Sequence, residues 1–254
     1  MDQHLIDAAT SNLNLPHDIV SLPSGGIFYK NKKKSIKVGY LTAQDENILM
    51  GALQGKREEI VLTLLRNKIY EHDLRPEDLL DCDIEAVLIF LRNTSFGPEY
   101  KVSVLDPKTD KRFETSILLD ELNIIPPKNQ PDENGFFITT LPKSGNTIKL
   151  KPLSFGDTLE LEKRVNSYPA GRTIPTVTWR LEKLIQEVDG ITDRSNISTF
   201  VTSIPIMDSK YIRNYIRENL PSLDLTKKIV APSGEEVSVD INFGVEFFRP
   251  FFWT

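Results

Sequence analysis

Cysteine is nearly absent from this chain, and histidine is scarce. Cys82 is the single cysteine among 254 residues, so no intrachain disulfide can form, and its apolar, helix-like surroundings are typical of a buried inert thiol. The three histidines, His4, His17 and His72, have no metal-ligand spacing with one another or with Cys82. We therefore expect no metal and no cofactor, and a reducing compartment fits the composition.

Long apolar runs and an excess of positive charge are also missing. The longest apolar run, residues 86–91, is far shorter than the roughly 20 residues that cross a bilayer. The first seven residues lack the basic start and apolar core of a secretory signal. The formal charge is −5, with 31 basic and 36 acidic residues interleaved, which gives no general nucleic-acid footprint. We expect neither a membrane nor a nucleic acid as partner.

Catalytic motifs are lacking as well. No Gly-x-Ser-x-Gly elbow is present. The stretch 51–56 resembles a phosphate loop, but three residues separate its glycines where four are required, and Arg57 replaces the Ser or Thr that holds magnesium. Carboxylates are plentiful, yet the sequence cannot bring two of them across one cleft. The prediction is that the protein is not an enzyme, with a cell-wall hydrolase kept as a distant alternative.

What the chain does have is self-similarity. The pattern of residues 36–45 returns at 148–157, a constant shift of 112, and positions from Asp83 to Pro107 return from Asp208 to Pro232 at a shift of 125. A Leu-Pro pair followed by glycine opens each copy, at Leu22 and at Leu141. Such repetition is read before any local motif, because it decides the architecture.

The repeat predicts an α+β protein with an internal tandem duplication. Each of the two related copies would consist of β-hairpins packed with a small helical bundle. The predicted boundaries are an N-terminal arm at 1–21, a first repeat domain at 22–125, a proline-rich linker at 126–140 and a second repeat domain at 141–254 with an aromatic C-terminal tail.

Local signals predict the elements of each copy. Thr42 with Asp45, and Ser154 with Asp157, have capping-box spacing and should begin helices. In the first copy, strands at 27–29 and 36–40 should flank a lysine-rich turn, and strands at 100–105 and 112–118 should form a second hairpin. In the second copy we expect helices at 157–166, 174–188 and 208–219, and strands at 225–231 and 236–243.

Two segments are candidates for binding a partner. The lysine-rich turn carries Lys30, Lys32, Lys33 and Lys34, which could meet an acidic surface or simply keep an exposed turn soluble. The tail carries Phe247, Phe248, Arg249, Phe251, Phe252 and Trp253. Rings of this size must be covered, either by the protein's own core or by another subunit into which they insert.

The order of motifs resembles a known family. The motifs are Leu-Pro-Ser-Gly-Gly-Ile-Phe-Tyr at 22–29, Leu-Thr-x-x-Asp-Glu at 41–46, the stretch from Asp83 to Arg92, Ser-Phe-Gly-x-x-Tyr at 95–100, and Phe-Phe-x-Pro at 247–250. Together they resemble the baseplate hub and hub-assembly proteins of T-even-like contractile-tailed bacteriophages, from about residue 22 to the end.

The resemblance implies a non-enzymatic role in building the baseplate hub in the cytoplasm of an infected cell. The implied partners are hub or other tail proteins, in a homo-oligomer or a hetero-oligomer, and the chain would either stay in the virion tail or act as a transient assembly chaperone. Some relatives carry cysteine pairs at the tips of the two late hairpins. Here those tips, 106–109 and 231–234, have no thiol, so no zinc is expected.

Overall fold

The structure, a computed structural model, describes residues 16–51, 57–243 and 245–248. Within these residues the chain forms seven α-helices and eleven β-strands. The helices are α1 (Ala43–Gly51), α2 (Arg57–Lys68), α3 (Asp81–Phe96), α4 (Phe155–Asn166), α5 (Thr176–Leu184), α6 (Arg194–Ser203) and α7 (Ile206–Asn219). The strands are β1 (His17–Ser21), β2 (Ser35–Gly39), β3 (Glu99–Asp106), β4 (Lys111–Leu118), β5 (Ile124–Ile125), β6 (Phe137–Thr140), β7 (Thr147–Leu150), β8 (Ile185–Val188), β9 (Ser222–Leu223), β10 (Thr226–Val230) and β11 (Glu236–Asp240).

The strands form small antiparallel sheets. β1 pairs with β2, β3 with β4, β5 with β9, and β10 with β11, while β7 lies between β6 and β8 in a three-stranded sheet. The fold is therefore a mixture of α-helices and small antiparallel sheets, which agrees with the predicted α+β class. Pairs of this size need a helix or a second sheet against one face to be stable.

Both predicted capping boxes begin a helix. Asp157 N donates to Ser154 Oγ at 3.2 Å, and Ser154 N donates to Asp157 Oδ2 at 3.1 Å, where α4 begins. At the start of α1, Thr42 N donates to Asp45 Oδ2 at 2.7 Å. In each case the carboxylate satisfies a backbone N–H that the helix leaves without a partner.

The prediction for the lysine-rich turn was wrong in its pairing. The strand at 36–40 is present as β2, but it pairs with β1, so the last residues of the predicted arm lie in a sheet. Residues 27–29 form turns instead. Tyr29 is drawn inward, because its hydroxyl donates to Asp83 and accepts from Leu80 N at 3.0 Å. A Cβ on Gly26, whose φ is +75°, would overlap the Lys33 carbonyl.

Both late hairpins are confirmed, as β3 with β4 and β10 with β11. Elsewhere in the second half the prediction differs in two places. The helix expected at 174–188 ends at Leu184, and 185–188 continue as β8, because Ile185 and Val188 are buried as edge residues of the β7 sheet. A helix at 194–203, capped by Asp193, was not predicted.

Buried apolar side chains form two clusters. The first surrounds α3 and includes β1, β2 and α2, together with Ile241, Phe247 and Phe248 from the end of the described chain. The second lies between the β6–β7–β8 sheet and helices α5, α6 and α7. Phe28 and Leu220 pack against both clusters. The first cluster thus takes residues from each of the two predicted repeat domains.

Candidate functional site

The end of the described chain is attached to the protein by Arg92. This side chain lies on α3 and is fully buried. Its Nε donates to the Phe247 carbonyl at 3.1 Å, while its two terminal nitrogens donate to Gly97 O at 2.7 Å and Glu99 O at 2.8 Å. One guanidinium therefore joins the end of α3, the start of β3 and the C-terminal segment.

The surroundings of Arg92 are aromatic. The centre of its guanidinium lies 5.2 Å from the Tyr100 ring centroid and 5.6 Å from that of Phe247. Burial lowers the pKa of Arg92 from its ordinary value, yet guanidinium groups keep their charge in proteins. Cation–π contacts and charge-assisted hydrogen bonds offset the cost of removing this charge from water.

Two of the predicted tail residues belong to the protein's own core. Phe247 and Phe248 are 0% and 4% exposed. The Phe247 ring centroid lies 4.8 Å from that of Phe243 and 5.1 Å from that of Phe248. In the single chain these two rings are buried in the first apolar cluster, as the core alternative expects. Arg249, Phe251, Phe252 and Trp253 lie outside the described residues.

The four candidate lysines divide into two kinds. Lys33 forms ion pairs with Glu71 and Asp73, and Lys32 donates to the carbonyls of Ile27 and Glu133. These two therefore tie the turn to the rest of the protein. Lys30 and Lys34 are exposed and remain available to a partner.

The Lys33 contacts are reflected in pKa values. Hydrogen bonds to Asp73 and then Glu71 raise the pKa of Lys33. Burial raises the pKa of Glu71, but hydrogen bonds from Lys33 and from Lys37 N outweigh it, so that pKa lies below its usual value. The pairing therefore keeps both groups charged over a wider pH range.

The described part of the chain was compared with the side-chain arrangements that metal binding and thiol reactivity require. No group of three or more His, Cys, Asp or Glu side chains converges there. Cys82 is buried, and burial raises its thiol pKa well above the ordinary value.

At the tips of the late hairpins, Ser233 Oγ donates to Asp106 Oδ1 at 2.7 Å and Ser233 N donates to Asp106 Oδ2 at 3.2 Å. The two tips are thus joined by hydrogen bonds.

The comparison with protein families identifies the chain's relatives. A family model described as T4 bacteriophage base plate protein matches residues 20–249. The chain belongs to this family. The resemblance seen in the sequence is thereby confirmed at the level of the family, and this baseplate protein is related to components of the phage tail baseplate. No curated protein and no solved structure matches it.

The surface of this baseplate protein also has exposed apolar residues that the sequence analysis did not single out. At the start of α7, Ile206 and Met207 are 85% and 62% exposed, directly after Pro205. Both fall outside the buried stripe of α7, which includes Ile212 and Ile216. That departure from the helical spacing is the signal that could have found them. None of the helices in the described ranges is long and apolar enough to cross a membrane.

Proposed function

We propose that this baseplate protein is a non-enzymatic hub component or hub-assembly factor that acts by protein–protein recognition during tail assembly in the infected cell. The family match over residues 20–249 carries the proposal, because it links nearly the whole chain to the baseplate. Hub or other tail proteins would be the partners, with one or more copies of the chain in the assembly.

Exposed side chains support recognition as the mode of action. Ile206 and Met207 present apolar surface next to each other, and Lys30 and Lys34 present positive charge on the lysine-rich turn. Apolar contact supplies most of the affinity in protein interfaces, while surface charge guides the encounter and selects the partner.

The proposal includes an internal duplication, supported by matched loop contacts. In the first half, Ser24 N donates to Asp83 Oδ1 at 2.9 Å, which fixes the Leu-Pro-Ser-Gly loop to the start of α3. In the second half, Lys143 N and Ser144 N donate to Asp208 at 2.8 and 2.9 Å, which fixes the Leu-Pro-Lys-Ser-Gly loop to the start of α7. Both aspartates are fully buried.

Further matched contacts involve the capping aspartates. Lys68 forms an ion pair with Asp45, and Lys183 forms one with Asp157 at 3.1 Å. Each aspartate also accepts a hydrogen bond from the backbone N–H three residues before it, where its helix begins. A scaffold with two similar halves can offer related surfaces to two partners or to neighbouring subunits of a ring.

Quantitative mass spectrometry tests the proposal. Purified phage particles and crude infected-cell lysate would be compared, with a known tail subunit counted in both as the internal standard. A fixed ratio to that subunit in the particle supports a hub component. Abundance in lysate with absence from particles supports the alternative, a transient tail-assembly chaperone. Absence from both would remove the phage function.

The non-enzymatic part of the proposal has its own test. The pure protein would be incubated with bacterial cell wall, and release of soluble fragments would be followed against a lysozyme standard. We expect no release above that of a heat-denatured sample. Detectable hydrolysis would contradict the proposal.

A further inference from the structure

The strand β6 forms one edge of the three-stranded sheet, because β7 lies between it and β8. Its sequence is Phe-Ile-Thr-Thr. Among the described strands of four or more residues, β6 is the one that carries no charged side chain. Natural proteins usually protect an edge strand with charges, proline or a bulge, because an unprotected edge pairs with another chain. The uncharged edge of β6 is therefore a candidate interface.

Two residues of β6 direct their backbone groups away from β7. Leu141 N donates to Asn146 O at 2.9 Å, and this register assigns the odd-numbered residues of β6 to hydrogen bonds with β7. The N–H and C=O groups of Ile138 and Thr140 consequently point to the free side of the strand. Both residues are exposed, and no backbone group in the described part of the chain bonds to them there.

The free edge is limited at both ends. Phe136 is occupied, because its N–H donates to Asp132 Oδ1 at 2.8 Å and its carbonyl accepts from Asp132 N at 2.7 Å. Beyond the other end, Pro142 has no N–H to donate. An incoming strand can therefore pair only with Ile138 and Thr140, which together offer two donors and two acceptors.

The β6 strand of a second copy matches this edge. When two β6 strands lie antiparallel about a twofold axis, Ile138 of each copy can pair with Thr140 of the other. The free donors and acceptors of both copies then satisfy one another. Thr139 lies at the axis, opposite Thr139 of the second copy.

Charges beside the strand are also complementary in this register. Lys143, just after β6, comes opposite the turn at 132–135 of the second copy, because the strands run in opposite directions. That turn carries Glu133, and both Lys143 and Glu133 are exposed. Opposite charges would thus meet on each side of the axis.

Helix α7 supplies apolar surface beside the same edge. Tyr211 Oη lies 2.8 Å from Thr139 Oγ1, which places this face of α7 next to β6. Met207 precedes Tyr211 by one helical turn on that face and is 62% exposed. A twofold axis perpendicular to the sheet leaves both α7 helices on one side of it, so Met207 would face the second copy.

We propose that two copies of this chain pair through their β6 strands, so that the two three-stranded sheets become one continuous sheet. The interface would be isologous, with Ile138 and Thr140 in the hydrogen-bonded pairs. The inference concerns the isolated chain and does not depend on the proposed phage function, so either can fail without the other.

Sedimentation velocity of the full chain over a concentration series tests the proposal. We expect the mass to move from monomer to dimer as the concentration rises. Ile138→Lys should raise the dissociation constant of the dimer by about tenfold or more, because a lysine on an edge opposes pairing. Val230→Lys, at an exposed valine of β10, is the matched control and should leave the dissociation constant unchanged.

Cross-linking tests the register. Residues directly opposite each other in a non-hydrogen-bonded pair have neighbouring Cβ atoms, so oxidised Thr139→Cys should give a disulfide-linked dimer. Val230→Cys should give none, and neither should the unaltered chain, whose Cys82 is buried.

A charge exchange provides a measurement that does not alter the strand. Lys143→Glu and Glu133→Lys should each weaken the dimer, and the double variant should restore it. A monomer at every concentration would overturn the proposal and leave the edge to an extended segment of another protein. A dimer that Ile138→Lys leaves intact would also overturn it, since that dimer would use another surface.

Discussion

At the scale of single residues, Arg92 has the most demanding environment. Three backbone carbonyls depend on one buried guanidinium, and each carbonyl would lack its partner if the side chain were shortened. Arg217, which follows it by 125 residues at the same place in the sequence pattern, is exposed and donates to Asn214 at 2.8 Å. The two arginines therefore differ in their partners, because among the described residues it is Arg92 that binds the C-terminal segment at Phe247.

This difference gives the first prediction. Arg92→Met should lower the free energy of unfolding by about 3 kcal/mol, since charge-assisted hydrogen bonds contribute about 1.5 to 3 kcal/mol each and partial solvation offsets part of the loss. Arg217→Met should change it by less than about 0.5 kcal/mol, as is usual for surface substitutions. Urea unfolding of both variants measures the effects, and equal losses would contradict the assignment.

The sequence alone could not have placed Arg92. It was visible as a repeated position, but its partners are carbonyls, which no side-chain pattern reveals. Tyr29 is a similar case. Its β-propensity and neighbours favoured a strand, whereas its hydroxyl is bound by Asp83, a residue distant in sequence. Tertiary hydrogen bonds of this kind override local propensity.

At the scale of elements, local sequence signals predicted helices and strands correctly wherever the contacts that form them are local. Both capping boxes begin helices, and both late hairpins formed as expected. The failures involve distant partners. The polar sequence of β1 shows no alternation and so gives no strand signal. Ile185 and Val188 are three residues apart, which favours a helix, and the irregular pairing of β8 with β7 is a tertiary contact that this spacing does not reveal.

The capping box of α4 provides the second prediction. Ser154→Ala should cost about 1 kcal/mol of stability, because the N–H of Asp157 loses its acceptor. Ser195→Ala, in the first turn of α6 but not at its cap, is the matched control and should cost little. Thermal unfolding followed by circular dichroism measures both. A cost at Ser195 as large as that at Ser154 would show that the capping contact contributes nothing specific.

The contact between the hairpin tips predicts acid sensitivity. Burial acts to raise the pKa of Asp106, but hydrogen bonds from Ser233, Lys108 N and Thr109 outweigh it, so the pKa lies below its ordinary value. Because the folded pKa is depressed, the carboxylate's contribution to stability is present above its unfolded value of about 3.9 and is lost as pH falls through the folded pKa.

The third prediction follows from the lowered pKa of Asp106. Below about pH 4 the free energy of unfolding of the unaltered protein should fall as Asp106 is protonated. Asp106→Asn lacks this carboxylate at every pH, so its free energy of unfolding should fall less between neutral and acid pH. Ser233→Ala should also reduce the pH dependence of the free energy of unfolding, by a smaller amount. Asp120→Asn, at an exposed carboxylate, should leave the acid dependence unchanged. Urea unfolding at a series of pH values measures these slopes, and parallel curves for Asp106→Asn and the unaltered protein would refute the prediction.

At the scale of the whole molecule, the two halves share their interior. Phe28 packs against both apolar clusters, and its ring centroid lies 5.9 Å from that of Phe137. Phe155 N, at the start of α4, donates to Leu79 O at 2.7 Å, and Ser233 joins the hairpin tips. Phe247 and Phe248 complete the first cluster from the far end of the chain. Two halves connected in this way should not unfold as independent domains.

The last prediction is therefore a single cooperative unfolding transition. Cys82 lies in the first cluster and Trp179 is buried in the second half, so thiol reactivity and tryptophan fluorescence report on different halves, with Trp253→Phe removing the other indole. The two urea transitions should coincide, as two-state unfolding requires. Phe28→Ala should lower both midpoints together, by about 2 kcal/mol in free energy for a half-buried ring. If fluorescence and thiol exposure changed at different urea concentrations, the halves would be independent domains, and the shared packing around Phe28 would be too weak to couple them.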